Sequence, residues 1–179
     1  MSSPARSTRT ATMAGLAALI AGVIFVLAGA AVWVLIGTQL SAQKITVGDD
    51  AGEAVPALSW TAGQTVSGPF TAYAQAEIID MHATAIAGGN TYAELGALVS
   101  EAQDAGDTER AEELQAQRNT VMNASFLRAS LFTSVVSYGV AAMAIVLGIL
   151  LVLGGLGLRQ VAAAVATTSQ RVEKEADLD

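Results

Sequence analysis

Two long apolar runs, one near each end of the chain, dominate its hydrophobic pattern. No charged residue occurs from Thr10 to Gln43, and none occurs from Ala129 to Leu158. A transmembrane helix needs about 20 predominantly apolar residues to cross roughly 30 Å of hydrocarbon. Both runs exceed that length, so the pattern predicts transmembrane helices over about 13–37 and 129–158.

The first run could instead belong to a cleaved signal peptide. Arg6 and Arg9 would form its basic start, and Ala28-Gly29-Ala30 is a small-x-small site of the kind that signal peptidase cuts. However, the apolar run over 13–36 is much longer than the ~7–15 residues usual for the hydrophobic region of a signal peptide. Its length favours an uncleaved anchor.

Basic residues are more frequent beside the chain termini than beside the middle of the chain. Those near the termini are Arg6, Arg9, Arg159, Arg171 and Lys174. Those that flank the middle are Lys44 and Arg128. Because Lys and Arg are retained on the cytoplasmic side, we expect a plasma-membrane protein with cytoplasmic tails at 1–12 and 159–179. Residues 38–128 are then extracytoplasmic.

The first part of this middle segment lacks a helical period. Residues 44–68 are rich in Gly, Thr and Val and contain Pro56, which favours irregular structure with short strands at 44–47 and 58–61. Helix is the less favoured structure here.

Helical signals follow. Pro69 and apolar residues at spacings of three and four predict a helix over 70–87, which Gly88-Gly89 would end. A second helix over 92–104 would begin with a capping box, Thr91-x-x-Glu94.

Asp107 is a favourable N-cap for a third helix. Neither Gly nor Pro occurs from there to Ser130, so the helix over 108–128 should continue into the second apolar run as one helix over about 108–158. The fold class predicted is therefore mainly α and integral to the membrane. Two transmembrane helices carry an extracytoplasmic helical hairpin within a three-helix segment, and the second span is continuous with a long projecting helix.

Small residues recur along one face of each apolar run. Transmembrane helices associate closely along such faces, because small side chains let the backbones approach. The candidate packing residues are Gly15, Ala18, Gly22, Gly29, Ser130, Ser134, Ser137, Ala141, Ala144 and Gly148. The two faces could pack on each other within one chain, or on another copy or a partner. The Ala- and Gly-rich composition could also produce such stripes by chance.

Charge and composition narrow the possible partners. Twelve of the 16 acidic residues lie between the apolar runs, with only four basic residues among them. This acidic balance argues against nucleic acid as a partner and against adhesion of the segment to anionic lipid. The chain has no Cys, so order in the middle segment must come from helix packing, from the anchors or from a partner. As interaction partners we expect the lipid bilayer and either another protein or further copies of this chain in a homo-oligomer.

Residues that could support catalysis or metal binding are sparse. His82 is the only His, and a metal site needs converging ligands that it cannot supply alone. Glu77 and Asp80 form a carboxylate pair that is typical of a solvated surface. The acidic residues over 101–113 lack the spacing of a calcium loop. The residues therefore predict no catalytic, metal or cofactor site.

Several segments together resemble a family of small actinobacterial two-span membrane proteins. They are Met1-Ser-Ser-Pro-Ala-Arg-Ser-Thr-Arg-Thr, Met13-Ala-Gly-Leu-Ala, Gly68-Pro-Phe-Thr-Ala-Tyr-Ala-Gln-Ala-Glu-Ile-Ile, Thr91-Tyr-Ala-Glu-Leu-Gly and Ala124-Ser-Phe-Leu-Arg-Ala-Ser-Leu-Phe-Thr-Ser-Val-Val. Members often carry the name aromatic ring-opening dioxygenase LigA. That name implies iron held by two His and one carboxylate, whereas this chain has only His82, so the catalytic implication does not transfer unless a second subunit brings the iron.

Three functions follow as hypotheses. The favoured one is a non-enzymatic membrane protein, an accessory or scaffold subunit that packs on another membrane or envelope component. The second is an extracytoplasmic sensing or ligand-binding module that signals through the long helix. The third, a component of a ring-opening dioxygenase, is disfavoured because of the single His.

Overall fold

The chain forms two compact units. The computed structural model describes the backbone of residues 4–176 and the side chains of residues 8–171. A two-helix unit comprises residues 1–33 and 139–179, and a central unit comprises residues 34–138. The described part is mostly helical and contains no β-strand.

Two helices are long and apolar enough to span a membrane. They are α1 (Pro4–Ala42) and α5 (Thr108–Ala176). Only 11% of the most apolar stretch of α1, and 17% of that of α5, is buried within the protein. The core helix of a soluble protein would be mostly buried, so the exposed apolar side chains of these helices suit a lipid environment.

Both helices extend beyond the apolar runs that identify them in the sequence. Helix α1 already begins at Pro4, within the segment 1–12 expected as a tail, and α5 continues to Ala176, well past Leu158. The physical reason is the absence of a helix-breaking residue: neither Gly nor Pro occurs over 158–176. Residues 177–179 of the predicted tail lie outside the described part.

The segment between α1 and the next long helix contains short helices where a strand was predicted. Residues 58–61 lie in a 3₁₀ helix (Pro56–Thr61), preceded by α2 (Ala51–Ala54). Pro56 presets the helical φ at the first position, and the buried Thr61 hydroxyl donates to the carbonyl of Leu58 at 2.7 Å. The prediction of a strand at 58–61 was therefore wrong.

The other predicted strand, 44–47, forms an isolated antiparallel bridge. Thr46 is bridged to Thr65. The backbone N–H of Val47 donates to Gln64, and that of Val66 donates to Ile45, at 2.9 and 2.8 Å. Two bonds of this kind tie the beginning of the segment to its end without making a strand.

Helix α3 (Pro69–Ile86) begins and ends through local backbone chemistry. The Thr71 hydroxyl accepts the backbone N–H groups of Ser67 and Gly68, each at 3.1 Å. At the other end, Gly88 and Gly89 adopt φ values of +59° and +83°, a left-handed conformation that glycine accepts without steric cost. The bounds differ by one residue from those expected.

The capping box of α4 (Tyr92–Asp104) forms as the sequence predicts. The Glu94 carboxylate accepts the Thr91 backbone N–H at 2.8 Å, and the Thr91 hydroxyl accepts the Glu94 N–H at 3.3 Å. The hydrogen bonds from the Thr91 amide and hydroxyl stabilise the ionised carboxylate and lower the pKa of Glu94. Asp107 likewise caps α5, because its Oδ1 accepts the N–H of Arg110 at 3.0 Å.

The central unit has two hydrophobic clusters. The larger one joins the end of α1 and residues 131–138 of α5 to α3 and the short helices. Its buried members are Leu40, Val47, Ala51, Val66, Ala72, Ala74, Ala76, Ile78, Leu131 and Tyr138. The smaller one joins α4 to the beginning of α5 through Ala87, Leu95, Val99, Ala102, Ala111 and Leu114. Aliphatic burial of this kind stabilises the unit without disulfides.

Candidate functional site

In the two-helix unit, glycines bring α1 and α5 into backbone contact. A Cβ added to Gly22 would lie 2.6 Å from the carbonyl oxygen of Gly148, and a Cβ on Gly148 would lie equally close to that of Gly22. A Cβ on Gly15 would lie 2.8 Å from the carbonyl oxygen of Gly155, and a Cβ on Gly29 would lie 2.8 Å from that of Ala141. Each step of seven residues along α1 matches seven residues backwards along α5, so the helices run antiparallel here.

The remaining packing candidates of this unit are less enclosed. Ala18 and Ala144 are half-buried, whereas Gly15, Gly22, Gly29, Ala141 and Gly148 are buried. Gly155 and Ala162 continue the buried face in seven-residue steps. The sequence carries the signal for this extension, because Gly155 and Ala162 follow Gly148 at steps of seven residues.

The other three packing candidates lie in the central unit and are not covered by a helix. Ser130, Ser134 and Ser137 line an open groove of about 780 Å³. One wall comes from residues 35–45, at the end of α1 and just after it, and another from residues 127–137 of α5. Gln75 and Ile79 of α3 complete the lining. We refer to this cavity as the groove.

The lining of the groove combines aliphatic side chains with small polar ones. The aliphatic residues are Leu35, Ile36, Leu40, Ile45, Ile79, Leu127 and Leu131. The amide residues are Gln39, Gln43 and Gln75. The hydroxyl residues are Ser130, Thr133, Ser134 and Ser137.

Three of these hydroxyls donate to carbonyl groups of their own helix. Thr133 donates to Ala129 at 2.8 Å, Ser134 to Ser130 at 3.3 Å, and Ser137 to Thr133 at 2.7 Å. Such hydroxyls can be covered by an apolar surface with little desolvation cost, because their donors stay bonded. The groove therefore suits packing better than it suits chemistry.

Three titratable residues singled out by sequence, Glu77, Asp80 and His82, each contact a polar or charged side chain. Arg128 contacts Glu77 at 3.4 Å and Asp80 at 3.2 Å. His82 Nε2 lies 2.5 Å from the carboxylate of Asp50. Both arrangements fix α3 in place, the first against α5 and the second against the segment before α2. The carboxylate pair of Glu77 and Asp80 therefore lies against the guanidinium group of Arg128.

These residues do not fit the iron implied by the family resemblance. A facial triad needs two imidazoles and a carboxylate, and the chain has one imidazole, already paired with Asp50. Within residues 8–171, no three His, Asp or Glu side chains come close enough to hold a metal ion.

A second, smaller cleft lies between the end of α3, the beginning of α4 and α5. It measures about 270 Å³ and includes Asp80, Asn90 and Thr91. All three have protein partners: Arg128, the carbonyl of Ala87 and Glu94, respectively. The polar groups here serve the fold, which makes the cleft a weaker candidate than the groove.

Several contacts in the central unit have no local signature in the sequence. Arg118 lies over the ring of Tyr92, with its Cζ 4.1 Å from the ring centroid. Tyr138 donates to the carbonyl of Ser67 at 2.8 Å. The partners are 26 and 71 residues apart, so neither helical period nor motif spacing could reveal them.

Comparison with protein-family models, with curated proteins and with solved structures found no match to this chain.

Proposed function

We propose that this chain is a non-enzymatic integral membrane protein that acts as an accessory or scaffold subunit. Its two apolar helices would anchor it in the plasma membrane, and residues 38–128 would stand outside as an extracytoplasmic helical hairpin within a three-helix segment. Its role would be to pack on another membrane or envelope component. The groove is the observation that supports this role most directly.

The groove offers an uncovered surface of the kind that binds a helix. Ser130, Ser134 and Ser137 follow the same four-three spacing as Ala141, Ala144 and Gly148, and residues of that second set pack against a helix. Small residues permit close backbone approach where lipid provides no hydrophobic drive. A transmembrane or amphipathic helix of a partner protein is therefore the occupant we assign to the groove.

The amide side chains of the groove add specificity. Gln39 lies in the last turn of α1 and Gln43 directly follows the helix, and each can both donate and accept a hydrogen bond. At the edge of the hydrocarbon such bonds between helices contribute about 1 kcal/mol each. A partner helix with a polar residue at this depth would be preferred over lipid chains.

The orientation can be tested because the chain has no Cys. We expect a membrane-impermeant maleimide to label Gln103→Cys in intact cells, since this exposed residue of α4 lies in the central unit. Thr168→Cys, exposed near the end of α5, should react only after permeabilisation. The opposite pattern would reverse the proposed orientation, and labelling of both in intact cells would contradict two spans.

The groove can be tested by filling it. After extraction in a gentle detergent, native mass spectrometry of the purified chain should show a stoichiometric complex with another protein. Ser134→Trp places a large ring in the groove and should dissociate that complex. The matched control is Val136→Trp: Val136 is 65% exposed and lies on the opposite side of the same helical turn, so the complex should survive.

The outcomes separate the proposal from its alternatives. Loss of the partner with Ser134→Trp alone, with helix content unchanged by circular dichroism, supports the groove as the docking site. A chain that purifies without any protein partner, or with lipid alone, contradicts the accessory role. If Ser134→Trp and Val136→Trp dissociate the complex equally, the groove is not the docking site.

A further inference from the structure

Gln75 differs from the other amide residues of the groove because a backbone contact fixes its orientation. Its Oε1 accepts the N–H of Gly48 at 3.2 Å. Only the oxygen of a side-chain amide can accept such a bond, so the Nε2 group is directed elsewhere. Gln39 and Gln43 have no side-chain hydrogen bond with the described residues 8–171, and each can turn either end of its amide toward an occupant.

The Gly48 N–H is itself held in place. Asp50, two residues later, contacts His82 of α3, with a carboxylate oxygen 2.5 Å from Nε2 of the imidazole. The loop is therefore tied to α3 at two points, Gln75 and His82, which lie about two helical turns apart. A Cβ on Gly48 would collide with the Asp50 carboxylate, so the turn between them is tight. Gln75 consequently keeps one amide orientation whether the groove is empty or filled.

This orientation gives the groove a hydrogen-bond donor of fixed position. Gln75 lines the groove, and none of the lining residues is charged. The Nε2 group of Gln75 has no partner among the described residues, whereas Thr133, Ser134 and Ser137 already donate to carbonyls of their own helix. An occupant that covers Nε2 without accepting a hydrogen bond leaves a buried donor unpaired, which weakens binding by about tenfold.

We infer that Gln75 selects the occupant of the groove, and that the partner helix carries a carboxamide side chain whose carbonyl oxygen accepts from Nε2. A neutral acceptor fits best, because a carboxylate would lose its hydration in a groove without a lining cation. Lys or Arg at this position could only donate and would leave Nε2 unpaired. This inference rests on the proposed function, since it names the chemistry of the helix assigned to the groove.

The test measures binding of a synthetic helix to the full chain in detergent micelles by fluorescence anisotropy. The labelled peptide has about 20 residues, with Ser and Ala at the four-three spacing, Leu elsewhere and one variable position at the edge of the small face. Three versions carry glutamine, methionine or methionine sulfoxide there. The sulfoxide only accepts hydrogen bonds, and the thioether is a weak acceptor. We expect the glutamine and sulfoxide versions to bind about tenfold more tightly than the methionine version.

The variant Gln75→Glu separates selection from a purely structural role. A carboxylate still accepts the Gly48 N–H, so the loop stays anchored and circular dichroism should show unchanged helix content. The donor in the groove becomes an acceptor, so the sulfoxide version should lose its advantage, whereas the glutamine version can donate and should keep it. If Gln75 served only to hold Gly48, the preference would not change. Gln39→Glu is the matched control, since it adds the same charge to the groove and should leave the sulfoxide preference intact.

The outcomes distinguish this inference from the proposed function. Equal binding of the three peptides, prevented in each case by Ser134→Trp, would overturn selection by Gln75 and leave the groove as a helix site. Loss of the sulfoxide preference in both Gln75→Glu and Gln39→Glu would also overturn it, because added charge would then be the cause. If no peptide binds the parent chain, or if Ser134→Trp does not reduce binding, the groove itself fails as a docking site.

Discussion

Replacing Gly155 with alanine should lower the free energy of unfolding of the two-helix unit by roughly 1–3 kcal/mol, the usual cost of overpacking. The added Cβ would lie 2.6 Å from the carbonyl oxygen of Gly15, 2.9 Å from Cγ of Leu19 and 3.0 Å from its backbone nitrogen. Two of these three atoms belong to the backbone of α1. Relief therefore requires the helices to move apart, which also weakens the neighbouring contacts at Gly22 and Gly148.

The matched control is the adjacent glycine. A Cβ on Gly154 would meet no atom within 4 Å, and alanine favours a helix over glycine by about 1 kcal/mol. Gly154→Ala should leave stability unchanged or raise it. A titration with SDS in mixed micelles, followed by the fluorescence of Trp33 in a Trp60→Phe background, measures both variants. Equal stabilities of the two would mean that backbone contact at Gly155 does not hold the helices together.

The ends of the helices could be predicted because their causes are local. Thr91 and Glu94 satisfy each other's backbone N–H groups, and Gly88 and Gly89 supply the left-handed turn. Each interaction spans three or four residues, so it is visible in the sequence. The 3₁₀ helix at Pro56–Thr61 has one local signal, Pro56 at its first position. The burial of Thr61 in the central unit has no counterpart in the local sequence, and the residues of 44–68 lack a helical period.

The register of the glycine contacts could not be predicted for a different reason. Gly15, Gly22 and Gly29 repeat every seven residues, and so do Ala141, Gly148 and Gly155. Sliding one helix by seven residues would again place small residues opposite small residues. Periodicity thus identifies the packing face but leaves several registers open, and the structure selects the one that joins Gly15 to Gly155.

The groove shows the same limit for the candidate site. Ser134 and Ala141 occupy equivalent positions of the stripe in sequence, yet Ser134 lines an open cavity and Ala141 is buried. The sequence identifies the helix face that carries small side chains. Which residues cover each part of that face depends on the position of the opposing helix. The ion pairs of Arg128 with Glu77 and Asp80 are likewise unreadable, because the partners are about 50 residues apart.

Removing the Tyr138 side chain should have the largest effect in the central unit. Tyr138 is 1% exposed and is the largest of the fully buried side chains among the described residues. Truncating a buried aromatic residue to alanine costs about 3–5 kcal/mol, because packing is lost and a cavity remains. Tyr138→Ala should therefore destabilise the unit by that amount and release the loop at Ser67, which its hydroxyl holds at 2.8 Å.

Two further variants separate packing from the hydrogen bond. Tyr138→Phe keeps the ring and removes the hydroxyl that donates to Ser67, which should cost about 1 kcal/mol. Tyr73→Ala removes a tyrosine that is 37% exposed and should cost less than Tyr138→Ala. Urea titration in a mild detergent, followed by Trp60 fluorescence in the Trp33→Phe background, reports on this unit. If Tyr138→Phe proved as costly as Tyr138→Ala, the hydroxyl and not the buried ring would hold the central unit together.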